Sequence, residues 1–158
     1  MQISKNAFTM IELIFVIVVL GILAAIAVPK FAATRADAKI AKGRTNVSAI
    51  RSAIVTERQR WLIRGINTFI KTGIDTETIS GLTRKKMDKD GLFGGVLMYP
   101  VTSEDWQRGA SDVNKTVYTY SVDNTDTTFT YTVGAGTFTC NPAIGTDAEK
   151  EQCKRLIN

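Results

Sequence analysis

FTMIELIFVIVVLGILAAIAVPKF, residues 8–31, decides how the rest of the chain is read. From Leu13 to Val28 it carries no charge. Counted from Phe8, the hydrophobic segment runs 21 residues, enough to cross a bilayer core as an α-helix. Its one charge, Glu12, stands near the start. A carboxylate inside hydrocarbon costs a few kcal/mol or more and normally has a partner. The sequence therefore predicts a membrane-length helix whose lone acid meets something positive.

Working outward, the string Ala7-Phe8-Thr9-Met10-Ile11-Glu12 resembles the N-terminus of type IV pilins and pseudopilins. In that family a small residue, usually Gly, precedes Phe, a hydroxyl residue, usually Leu, an apolar residue and Glu. A membrane peptidase removes the leader before Phe and methylates the new amine. The resemblance implies a leader Met1–Ala7, cleavage between Ala7 and Phe8, and N-methylation of Phe8. It also implies an assembly role for Glu12 with the amine of Phe8. Gly21 and Pro29 stand where the family tends to place such residues, which implies a bend or partial unwinding there in a filament. Ala7 departs from Gly, and Met10 from Leu. The first is still small, and the second nearly conserves volume. The resemblance covers about the first third of the chain.

Two other readings compete. A general secretory signal would use Lys5, the apolar run from Leu13 and Ala25-Ile26-Ala27 as its cleavage site. A plain membrane anchor would carry an unrelated domain. Neither accounts for the whole string from Ala7 to Glu12, and Glu12 is an odd head for a signal core.

Composition narrows the chemistry. The chain has 158 residues and no histidine, so His-based acid–base catalysis and His metal ligation are excluded. The formal charge is +5, unevenly spread: Lys30 to Arg64 holds nine basic and two acidic residues. That stretch suits anionic lipid, nucleic acid or acidic neighbours; a solvated helix face explains it equally well. A K/R count alone would hold this side in the cytoplasm. Long C-terminal domains translocate largely regardless of charge, however, and the family orientation is preferred. Cys140 and Cys153 flank twelve residues. Two cysteines make a poor zinc site. A disulfide fits an oxidising compartment and would stabilise by about 3 kcal/mol, with two reduced thiols as the alternative.

Phe8 to about Arg64 reads as one helix, ending at Gly65. Past Pro29, Ala33, Ile40, Val47, Ile54 and Trp61 recur every seven residues, with Ala36, Gly43 and Ile50 three later in each heptad, giving one apolar stripe. Its small-residue first half predicts helix contacts between subunits. Its bulky second half predicts a cover from the chain's own domain. Arg84-Lys85-Lys86 reads as a solvated cluster, and Asp88-Lys89-Asp90-Gly91 as a turn that lacks the later glutamate of a calcium loop. Val96 to Val101 reads as buried. Thr116–Val122, Thr127–Val133 and Thr137–Cys140 alternate as an antiparallel meander with Tyr118, Tyr120, Phe129 and Tyr131 on one face. Asp147 to Leu156 reads as a helical turn. The expected fold is α+β: a long N-terminal helix packed on a small antiparallel sheet. Its parts are leader 1–7, transmembrane and assembly helix 8–29, amphipathic half 30–64 and globular domain 65–158.

The resemblance implies a structural subunit rather than an enzyme, with no cofactor. It would form a homo-oligomeric filament with related pilin-like subunits, after processing by prepilin peptidase in the inner membrane among its lipids. Before assembly it would be single-pass, with its C-terminal domain periplasmic. The filament would be the pseudopilus or pilus of a type II secretion or DNA-uptake machine, with DNA or a secreted protein as cargo. A surface pilus for adhesion or twitching is the alternative. In the different class, a membrane-anchored enzyme, Glu104 and Asp105 are a lone acid pair and read as solvated.

Overall fold

The computed structural model describes residues 8–71, 78–79, 82–83, 93–101, 104–112 and 114–158. The leader, the Arg84–Lys86 cluster and the Asp88–Gly91 turn lie outside the described residues. The fold is α+β and pilin-like. A single long helix, α1 (Met10–Ile63), is followed by a two-residue strand pair, β1 (Thr78–Ile79) and β2 (Leu82–Thr83). Then come β3 (Trp106–Ser111), β4 (Lys115–Val122), β5 (Thr125–Thr132), β6 (Thr137–Cys140) and a closing helix, α2 (Asp147–Ile157). The chain divides into two compact units between Ala38 and Lys39.

In the first unit α1 begins where Thr9 stops being helical. The Thr9 carbonyl accepts from Leu13 N, and its Oγ1 accepts from Glu12 N at 3.3 Å. This is N-cap chemistry, which satisfies one of the helix's orphan donors. From Phe8 to Val28 the large apolar side chains are exposed.

In the second unit β3-β4-β5-β6 form a four-stranded antiparallel sheet in sequence order. The turn between β4 and β5 is closed by Val122 opposite Thr125, with Asp123 at φ 52, a left-handed conformation that Asp and Asn tolerate better than most residues. Alternation then places Thr116, Tyr118, Tyr120 and Val122 of β4 and Thr127, Phe129 and Tyr131 of β5 on one buried face. Helix α1 from Ile40 to Trp61 packs into the same core through Ile40, Val47, Ile50, Ile54 and Trp61. This corrects one expectation: the chain's own domain already covers the stripe at Ile40 and Gly43, before the bulky half begins. The cause is Tyr120, whose ring occupies the space beside Gly43 and whose hydroxyl donates to the Lys39 carbonyl at 2.6 Å.

An aromatic cluster fills the sheet side of the core. Phe93, Trp106, Tyr118, Phe129 and Phe138 interlock, with Phe129 stacked on Phe138 at 5.2 Å and Phe93 edge-on to Trp106 at 5.8 Å. Such geometries add to area burial. Trp106 and Phe93 are wholly buried, and both lie in the stretch the sequence pattern left unread. The Val96–Val101 expectation is overturned. Phe93 fills the core, and Met98 and Tyr99 stand out in solvent. At the end of α1, Gly65 (φ 76) donates to Leu62 O and Ile66 donates to Trp61 O. This is a Schellman cap, which needs glycine's left-handed freedom. Helix α2 is three turns rather than one. A capping box of Thr146 and Glu149 starts it, and the Cys140–Cys153 disulfide ties it to β6.

Candidate functional site: an exposed apolar helix and a clamped domain

The first unit presents an acid and a greasy surface together. Glu12 is the third residue of α1, and the Thr9 hydroxyl also reaches its Oε2 at 3.4 Å. The helix N-terminus is electropositive, so a carboxylate in the first turn is favoured there. Beyond it, Leu13, Ile14, Phe15, Ile17, Val18, Leu20, Ile22 and Leu23 are each more than half exposed. Each such side chain gains roughly 1.5–3 kcal/mol when taken out of water. By length and composition the segment is apolar enough to cross a membrane. It needs lipid or other apolar helices. Residues Phe8, Glu12 and Gly21 all lie on this segment; Phe8 is exposed, and a β-carbon at Gly21 would meet nothing within 4 Å. Residues 10–63 are helical without interruption through Pro29.

The basic stretch resolves differently in the second unit. Most of its cations there bind the chain's own carbonyls and acids. Arg44 donates twice to the Arg155 carbonyl at the end of α2, at 3.1 and 2.8 Å. Arg51 donates to the Phe138 carbonyl on β6 at 3.0 Å. Arg58 donates to the Thr68 carbonyl and to Asn67 Oδ1, with its guanidinium 4.1 Å above the Phe69 ring. Lys42 pairs with Asp105 at 2.6 Å, and Lys39 stands 3.9 Å from its other oxygen. Asp105 is therefore buried and paired, not solvated as the sequence suggested; Glu104 beside it is exposed. The hydrogen bond to Asp105 raises the Lys42 pKa above the ordinary lysine value. Glu57 is buried and accepts from Trp61 Nε1 and Arg60 Nη1, each at 3.0 Å. Burial, opposed in part by Arg58, pushes the Tyr131 hydroxyl well above the ordinary tyrosine value, and it donates to the Ile70 carbonyl at 2.8 Å. Sequence periodicity gave no signal for these clamps, because a side chain that binds a distant carbonyl leaves no pattern at its own position.

Among the described residues there is no group of three or more acidic, cysteine or histidine side chains able to hold a metal ion. A cleft of about 350 Å³ lies beside the disulfide, lined by Thr127, Thr128, Asn141, Ile144 and Glu149. The Glu149 carboxylate in it is already committed to the Thr146 N–H at 2.6 Å as a cap.

Against known proteins, residues 4–28 match the family model described as the prokaryotic N-terminal methylation motif, the cleavage motif of type IV prepilins and prepseudopilins. Neither the curated proteins nor the solved structures gave a match. The motif supports a type IV pilin-like subunit. It belongs to structural rather than enzymatic chains, and it implies processing by prepilin peptidase and assembly with pilin-like subunits. Motif and exposed apolar helix together fit a membrane-anchored precursor.

Proposed function

We propose that this chain is a structural subunit that polymerises through its N-terminal helix into the pseudopilus or pilus of a type II secretion or DNA-uptake machine. The observation that carries this reading is the methylation motif joined to a helix whose large apolar side chains are exposed from Phe8 to Val28. In lipid that helix is stable. In a bundle of identical helices it is nearly as stable, because both surroundings are apolar, so assembly is reversible and an external motor can drive it. Met1–Ala7 is the leader, residues 8–29 the transmembrane and assembly helix, 30–64 its amphipathic half and 65–158 the outward domain. Cleavage falls between Ala7 and Phe8. The methylated Phe8 amine then meets Glu12 of its own chain or of its neighbour, and the helix bends between Gly21 and Pro29 once neighbours surround it. The domain passes to the periplasm and then to a periplasmic or cell-surface filament.

One observation favours the surface-pilus reading: the disulfide closes the C-terminal segment onto β6, which toughens a part exposed to the medium. The clamped arginines speak against the basic stretch as a DNA contact. Intact mass and N-terminal sequencing of the membrane-extracted protein test the proposal. A chain beginning at methylated Phe8 is expected. A chain beginning at Val28 would make this a secreted soluble domain and end the filament argument.

A further inference from the structure

Resting on the reading of residues 8–29 as the transmembrane helix, we propose that Lys30 and Arg35 dock the phosphate headgroups of anionic phospholipid at the outer edge of the bilayer. Nine basic residues lie between Lys30 and Arg64, and the structure sorts them. Lys39, Lys42, Arg44, Arg51, Arg58 and Arg60 are each turned onto an acid or a carbonyl of the chain. Lys30 and Arg35 are exposed and make no ion pair or side-chain hydrogen bond among the described residues. Arg64, also exposed, belongs to the second unit. From Glu12 to Asp37 the sequence holds no other acid. Asp37 itself stands two positions past Arg35, and helix residues at that spacing do not share a face.

Depth decides what these two cations meet. Helix α1 runs unbroken from Met10, so the stretch to Val28 measures about 28 Å, close to the roughly 30 Å of a hydrocarbon core. Lys30 is the first charge past it, about 3 Å farther along the axis. There its stem lies along acyl chains while its ammonium turns out to the headgroups. Phe31 on the same turn is 68% exposed and offers those chains an apolar contact. Arg35 stands about 8 Å beyond Lys30. Side chains on a helix lean toward its N-terminus, which here is toward the bilayer, so the guanidinium reaches the headgroup layer from outside. It presents two parallel N–H groups to a phosphate, whereas the lysine acts as a point charge. The two lie about 140° apart around the helix and take separate lipids. Together they hold the helix at one depth until it leaves the bilayer for the filament.

Spin-labelled lipids test this on the full chain reconstituted in phosphatidylcholine vesicles. Lipid held against a membrane helix gives a motionally restricted component in the electron-spin-resonance spectrum. Labelled phosphatidylglycerol should enter that component roughly threefold more readily than labelled phosphatidylcholine at low salt, and about 1 M salt should erase the preference. Lys30→Gln/Arg35→Gln should bring the ratio to about one, as expected once both charges are gone from the surface. Lys5→Gln/Arg64→Gln, which removes two charges elsewhere, should keep it. A preference that survives in the first double variant, or falls as far in the second, would overturn the site. A restricted component with no preference for phosphatidylglycerol would overturn the headgroup contact and leave the membrane helix standing. No restricted component with either lipid would overturn both.

Discussion

The ring of Tyr120 lies against Gly43: a β-carbon on residue 43 would stand 2.5 Å from Tyr120 Cε1 and 2.6 Å from Leu156 Cδ2. Glycine costs a helix interior about 1 kcal/mol relative to alanine, so its presence in α1 needs a reason. The reason is that sheet, α1 and α2 meet there with no room for one more carbon.

Gly43→Ala should therefore destabilise the domain despite the better helix propensity. Overpacking of this kind costs about 1–3 kcal/mol. The expected readout is a fall of about 5 °C or more in the melting temperature followed by near-ultraviolet circular dichroism. Gly21→Ala, with nothing within 4 Å of the new carbon, should leave that melting curve unchanged. An unchanged curve for Gly43→Ala would mean the sheet can retreat from the helix.

Alkaline titration probes the same contact. Burial raises the Tyr120 hydroxyl to about 12 and pushes Tyr131 higher still. Lys42 is raised by its bond to Asp105. All three groups hold their protons more tightly in the folded state. Their contribution is complete below the unfolded values near 10 and is lost as pH rises through the folded ones. Denaturant midpoints should be flat up to about pH 10 and then drop, by an amount on the order of 1–3 kcal/mol for Tyr120 alone. Tyr120→Phe should lose about 1 kcal/mol at neutral pH and soften the alkaline drop. A drop of unchanged size in that variant would assign it to other groups.

How much of this was legible beforehand depended on whether the signal was local. The apolar run after Glu12, the β4–β5–β6 alternation and the Gly65 stop each rest on neighbouring residues, and each appears in the structure. The β3 strand was not legible. WQRGAS buries only Trp106 fully and exposes four of its six positions, so no alternation marks it. Phe93, at φ 65, is a core residue in an irregular turn, which no periodicity announces. Asp105 reads as a surface acid because its partner, Lys42, becomes one only through folding. Of the candidate site, the motif from Phe8 to Glu12 was readable, whereas the arginine clamps were not.

The Cys140–Cys153 bridge spans a sequence separation of 13 and joins β6 to a half-turned-in face of α2 where Cys153 and Leu156 are buried. Its removal should cost about 3 kcal/mol through the freed chain. The Cys140→Ser/Cys153→Ser double variant should melt lower and lose protection first in α2, read by hydrogen exchange of Glu151 to Leu156. The Arg44 clamp on the Arg155 carbonyl should leave part of that protection in place. Adding Arg44→Met to the double variant should remove it.

Glu12 stands in the first turn of α1. Its side chain lies beside the Thr9 hydroxyl in the isolated chain, and the electropositive first turn of α1 favours it there. An acid so placed has local company but no full counter-charge, and in hydrocarbon that remains costly. A free, methylated amine at Phe8 would supply the missing positive charge within or between subunits. Glu12→Ala removes the need for that charge without shortening the apolar run. It should leave the protein in the membrane fraction and cleaved at Ala7–Phe8, yet reduce filament yield at least tenfold. Glu12→Gln keeps a partner for Thr9 but has no charge, and should fail at the same step. Normal filament yield from either variant would show that register is set by helix packing alone, and the amine–carboxylate pairing would have to be given up.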